Sequence, residues 1–173
     1  MEMKEETKLR IISDSDFYKL SQEDISHFVK LKQNFSYFQW ADAHQLMKNF
    51  DPNAEVKESW FEHFSLLTNE QGTFTHVITK EFPYQITANS SFVEVFVTFK
   101  GKVEKEIYPI LDYRNQDIPN PTMTQVNKAL KRAFVKALAK HGLGLYIYRG
   151  EDLPDEPIIT LKELEKLEVM IDS

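Results

Sequence analysis

The chain has 173 residues, 42% hydrophobic and 28% charged, with a net charge of −6 and no Cys. That mixture fits a globular domain with a real core and excludes a disordered polyelectrolyte. It also excludes disulfides, thiolate nucleophiles and cysteine-ligated zinc, and no apolar run approaches the roughly 20 residues that span a bilayer. The opening MEMKEETKLR is charged and lacks the apolar stretch of a secretory signal. A reducing, cytoplasmic setting without membrane contact is the expectation.

Residues 1–34 read as an acidic extension. Within it, Ser21-Gln22-Glu23-Asp24 resembles a capping segment and predicts a short helix from Ser21 to Lys32. The next helix is expected from Ala41 to Phe50, stopped by Asp51-Pro52. From Ala54 to Leu111, Phe, Val, Thr and Ile dominate. Turn residues at Asn69–Gly72, Pro83 and Lys100-Gly101-Lys102 punctuate this β region.

The clearest hairpin runs from Phe92 to Leu111. Val93, Val95, Val97 and Phe99 alternate onto one face, with Phe92, Phe96, Tyr108 and Ile110 on the other. A three-residue loop, Lys100-Gly101-Lys102, sets Phe99 opposite Val103 and Val95 opposite Ile107. A two-residue loop sets Val97 opposite Glu104 and mixes core with solvent, so the three-residue register is expected.

A polar loop from Asp112 leads into a helix over Pro121–His141, with Asn120 as its cap, Pro121 in its first turn and Gly142 at its exit. Residues 143–148, LGLYIY, read as a short strand or buried connector. An acidic linker, Glu151 to Pro157, precedes an amphipathic helix over Thr160–Ile171. The fold class expected is α+β: a curved antiparallel β-sheet with a hairpin core, packed on one long basic helix with short flanking helices. Residues 35–154 form the core and 155–173 a C-terminal helix.

Charge is distributed unevenly. Between Asn120 and His141 there are five Lys or Arg and no Asp or Glu, so the net −6 divides into +5 there and −11 elsewhere. At about 100° per residue with Lys128 at 0°, Lys131 falls near ~300°, Arg132 near ~40°, Lys136 near ~80° and Lys140 near ~120°. Val126, Leu130, Ala133, Phe134, Ala137 and Leu138 occupy the opposite arc. Lys128, Arg132, Lys136 and Lys140 thus form a like-charge ladder, which costs a few tenths of a kcal/mol per pair without interleaved Glu. A solvated lysine face and a polyanion-binding face both fit this pattern.

Other chemistry is poorly supported. His27, His44, His63, His76 and His141 show no metal-binding pair spacing on one helix, and there is no phosphate-loop or nucleophile-elbow motif. His141 suits the end of a helix, where a cation is favoured. Glu151, Asp152, Asp155 and Glu156 lack the glycine turn of a calcium loop. Glu94, Glu104, Glu106 and Asp112 beside Lys105 leave room for a metal-dependent nuclease, or for plain solvent-facing charges. A third alternative is a protein-docking module whose basic helix meets an acidic partner. Tyr113, Tyr146 and Tyr148 are the aromatics nearest in sequence for stacking on bases.

Residues 126–154, VNKALKRAFVKALAKHGLGLYIYRGEDLP, resemble the signature of the phage Sak-type single-strand annealing proteins. Trp40-Ala41, Asp51-Pro52-Asn53-Ala54 and Tyr108-Pro109-Ile110-Leu111-Asp112-Tyr113-Arg114-Asn115 agree with it. Leu130-Lys131-Arg132-Ala133 and His141-Gly142-Leu143-Gly144 are also similar to the core helix of the Rad-fifty-two and Erf annealing proteins.

The resemblance covers about residues 35–155. It implies a β-β-β-α core and assembly of the chain into a ring or filament. It also implies ATP-independent annealing of single-stranded DNA in phage homologous recombination, without catalysis or cofactor. It places Lys131 and Arg132 where the superfamily's Lys-Arg pair meets phosphates. The DNA-contacting set expected from helix and hairpin is Lys128, Lys131, Arg132, Lys136 and Lys140, with Lys102 and Lys105 on a groove wall beside Lys100, and Arg114 and Arg149 as outliers. Partners expected are single-stranded DNA, the annealed duplex intermediate, further copies of the chain, and a single-strand binding protein or phage exonuclease.

Overall fold

The computed structural model describes residues 15–32 and 35–149. Its elements begin with α1 (Asp16–Ser21), a 3-10 turn (Ser26–Phe28), β1 (Val29–Lys32), β2 (Phe35–Phe38) and α2 (Trp40–Phe50). Strands β3 (Glu55–Glu58), β4 (Phe61–Thr68), β5 (Phe74–Phe82), β6 (Gln85–Ile86), β7 (Ser91–Phe99) and β8 (Lys102–Pro109) follow. The helix α3 (Met123–Lys140) and a 3-10 turn (Leu145–Tyr148) complete the described chain. The architecture is α+β, with antiparallel pairing throughout.

Strand β7 is the centre of the main sheet. β8 pairs along one edge, while β3 and β6 share the other. Val93, Val95, Val97 and Phe99 point to one face and are all buried, as their alternation requires. Against them α3 sets Val126, Ala129, Ala133, Ala137 and Leu138. Alanines at four-residue spacing let helix and sheet approach closely, and each fully buried Val or Leu is worth about 1.5–3 kcal/mol. α2 adds Ala43 and Met47 to this core, and Leu20 and Ile25 of the N-terminal segment join it. The β1–β2 and β4–β5 pairs are separate two-stranded sheets.

The hairpin register differs from the expected one. Phe99 pairs with Lys102 and Val97 with Glu104, so the loop is the two residues Lys100-Gly101. Both have positive φ, 48° and 75°, the mirror-image turn whose twist matches that of the flanking strands. The Asp51 carboxylate accepts the Lys100 N–H at 2.6 Å, which ties the turn to the end of α2. Turn geometry therefore outweighs hydrophobic pairing. The one-residue shift moves Glu104, Glu106 and Tyr108 onto the α3 face, and Ile110 is buried in the same core. Val103 and Ile107 turn outward instead, 59% and 51% exposed. The sheet tolerates acids on its inner face because β8 is an edge strand and Glu106 there meets Lys140 of α3.

Three other expectations are corrected. Ser21 ends a helix rather than starting one: Ser15 caps α1, and the Asp24 carboxylate accepts the Ser26 N–H at 2.9 Å to open a single 3-10 turn before β1. α3 starts at Met123, where Thr122 and Gln125 form the reciprocal capping box. The N-cap is thus Thr122 rather than Asn120, and Pro121 lies before the helix instead of in its first turn. Residues 145–148 are a 3-10 turn, not a strand, entered through Gly144 at φ 74°. A Cβ on Gly142 would lie 2.5 Å from the Phe17 carbonyl oxygen, so the exit of α3 is pressed against α1.

Candidate nucleic-acid interface

The arc of α3 that carries its cations is not uniform. Val135 and Ala139 fall within it, near ~340° and ~20°, yet both are buried. The C-terminal half of the helix is thus covered on nearly every side, and the expectation of a purely cationic face along the whole length is corrected. The open part is the N-terminal half, where Lys128 and Arg132 are exposed and Lys131 half-buried.

The expected basic residues divide into groups with different surroundings. Lys140 lies 2.6 Å from the Glu106 carboxylate and also donates to the Lys105 carbonyl. Lys100 lies 3.6 Å from Asp16. Asp16, Lys100, Lys102, Glu104 and Lys140 line a shallow cleft at the end of α3, where charges of both signs meet. Lys105 projects from the opposite face of the sheet, 3.1 Å from Glu94 and over the Phe96 ring. It is not on a wall shared with α3. Arg114 covers the Tyr113 ring in the loop before α3, and Arg149 is exposed after the last turn.

Lys128, Lys131 and Arg132 differ from these. Among the described residues, none of the three is paired with a carboxylate. Lys131 and Arg132 have aromatic neighbours. Lys131 Nζ lies 4.7 Å from the centre of the Trp40 ring, which α2 brings alongside. From the other side, β8 supplies Tyr108, whose hydroxyl accepts from Arg132 at 3.5 Å. Lys136 Nζ continues the row between Tyr108 and Tyr148, 5.6 and 5.4 Å from their ring centres. From Lys128 to Lys136 the row is about 12 Å long at 1.5 Å per residue. A stacked strand rises about 3.4 Å per nucleotide, so the row matches three to four phosphates.

Of the tyrosines considered for stacking, only Tyr148 lies in this row. Tyr113 is 85% exposed and holds Arg114. Trp40 and Tyr108 carry part of the family resemblance, but nothing in the sequence places either beside the basic helix. Trp40 precedes Lys131 by about ninety positions, and the three-residue register puts Tyr108 on the other face. His44 packs on Phe134, and the buried His141 lies 3.0 Å from the Val97 carbonyl, so both histidines serve packing.

The carboxylates considered for a nuclease are split between the two faces of the sheet. Glu104 and Glu106 face α3. Glu94 is on the outer face, bonded to the Ser59 hydroxyl at 2.7 Å. The Ser59 hydrogen bond, followed by Lys105, holds its carboxyl below the usual glutamate range against the opposing effect of burial. Asp112 uses its carboxylate to accept backbone N–H groups of Arg114 and Gln116 in its own loop. Among the described residues no cluster of His, Asp or Glu is arranged to hold a metal ion. No helix of the described chain is long and apolar enough to cross a membrane. The acidic stretch Glu151–Pro157 and the helix expected over Thr160–Ile171 lie outside the described residues.

A family model described as Sak Single Strand Annealing Protein matches residues 15–173. No curated protein and no solved structure matches the chain.

Proposed function

Because the chain belongs to the Sak family of single-strand annealing proteins, we propose that the open half of α3 holds single-stranded DNA by its phosphates, without ATP and without catalysis. Complementary strands would then anneal, in phage recombination. One observation carries this reading: Lys128, Lys131 and Arg132 lack a described carboxylate partner, whereas Lys140, Lys105 and Lys100 each have one. Three like charges without a described carboxylate partner, Lys128, Lys131 and Arg132, beside neutralised neighbours suit a polyanion.

The chemistry required is modest. Arg132 can grip one phosphate with two donors, while Lys128, Lys131 and Lys136 act as mobile point charges. Such contacts ignore sequence, so a bound strand can sample registers against its complement. Few phosphates per chain give weak binding, and avidity from a homo-oligomer, a ring or a filament, would supply the rest. The β4–β5 hairpin supports association. Phe64, Leu66 and Val77 share one of its faces and are 67%, 71% and 46% exposed, and an isolated two-stranded ribbon is marginal in water. Head-to-tail contacts between unlike surfaces, such as this ribbon and the outward Val103 and Ile107, close into rings or propagate as filaments.

The test is annealing of two complementary labelled oligonucleotides in EDTA without ATP, comparing the wild type with Lys131→Ala/Arg132→Ala. Acceleration by the wild type that the double variant loses at unchanged oligomer size is expected. No acceleration and no oligonucleotide binding at low salt would leave α3 as a protein-docking surface.

A further inference from the structure

Trp40 is the first residue of α2 and keeps 42% of its surface exposed, although α2 is otherwise anchored by the fully buried Ala43 and Met47. Its ring is covered by Lys131, the cation that the reading above assigns to a phosphate. We infer that Trp40 is a stacking platform for one base of the bound strand, and that Lys131 is its cover when no strand is present. This rests on the proposed function and deepens it.

The argument is one of competing partners. Among the described residues Lys131 has no carboxylate, and its ammonium rests on an indole face, the strongest of the aromatic cation acceptors but a weak partner beside an anion. A phosphate arriving at Arg132, one position further along the helix, offers Lys131 a charge-assisted bond. The four-carbon stem can swing the ammonium to it without moving the backbone. The indole face is then open next to a gripped phosphate, and base and phosphate of one nucleotide are separated only by the sugar. Every base has a π-face, so the contact is indifferent to sequence, as annealing demands.

The other rings in the row are less suited. Tyr108 is half-buried between Arg132 and Lys136, and Tyr148 also carries Lys136. One platform per chain fixes a single base and leaves its neighbours free to pair, so stacking here does not oppose annealing. The sequence motif that begins at Trp40 thereby acquires a role besides packing.

The chain has two tryptophans, Trp40 and Trp60, so Trp60→Phe leaves Trp40 as the only indole reporter. This full-length variant is titrated with fluorescein-labelled oligothymidylate and with an abasic strand of equal length. Anisotropy reports binding and tryptophan emission reports the ring. Saturable quenching by oligothymidylate, with little quenching by the abasic strand at equal saturation, is expected. Trp40→Ala should weaken oligothymidylate binding on the order of tenfold, Trp40→Phe markedly less, and neither should alter abasic binding more than about twofold. Binding without quenching, or equal quenching by both strands, would overturn the platform and leave the phosphate site standing. Binding of neither strand would overturn both. Circular dichroism of Trp40→Ala separates unfolding from loss of contact, and the quenching comparison decides the matter without that variant.

Discussion

Lys140 and Glu106 meet at 2.6 Å across the junction of α3 and β8, in a pairing that exists only because the hairpin loop has two residues. The contact compensates one of the five cations of α3. Lys140→Ala is therefore expected to act on stability, by about 1 kcal/mol for a partly exposed pair. Its oligonucleotide affinity should stay within about twofold of wild type. Urea midpoints and anisotropy titrations check both. A loss of affinity as large as that of Lys131→Ala would show that Lys140 leaves Glu106 to hold the strand.

The salt dependence of binding counts the phosphates. Four contacts per chain give a slope of log affinity against log salt near about −3 for a single strand, and Lys131→Ala/Arg132→Ala should reduce its magnitude by about 1.4. The measurement is oligonucleotide binding across a salt series with the oligomeric state held constant. An unchanged slope in the double variant would place the contacts elsewhere.

Glu94 sets an acid limit. The Ser59 hydroxyl and then Lys105 stabilise its ionised form, so its folded value lies below its unfolded one. The associated stability is fully present above the usual glutamate range and is lost as pH falls through the lowered folded value. Ser59→Ala should flatten the decline in urea midpoint between about pH 6 and about pH 3. Parallel profiles for the two proteins would assign the acid sensitivity to other carboxylates.

The hairpin ribbon tests assembly. Leu66 is 71% exposed and sits opposite Val77, so Leu66→Asp removes little from the fold of an isolated chain. If copies associate through this face, light scattering after size exclusion should show a smaller particle, and annealing should fall at least about tenfold through lost avidity. An unaltered mass would move the contact to another surface.

Composition and periodicity determine a good deal by themselves. The alternation Val93, Val95, Val97, Phe99 requires one buried sheet face. The acid-free run from Asn120 to His141 requires a helix with opposed apolar and cationic sides. Asp51-Pro52 stops α2. These are local signals, each carried by neighbours in sequence or by one helical turn. The choice of site was not local. A two-residue turn, held by the Asp51 carboxylate on Lys100, flipped β8 and brought Glu106 to Lys140 and Tyr108 to Arg132. Packing of α2 against α3 set Trp40 on Lys131. Burial of Val135 and Ala139 closed half of the cationic arc. Sequence thus determined which helix carries the charge. Only the tertiary structure decided which of those charges remain uncompensated, because neutralisation and burial depend on side chains that other elements bring within a few ångströms.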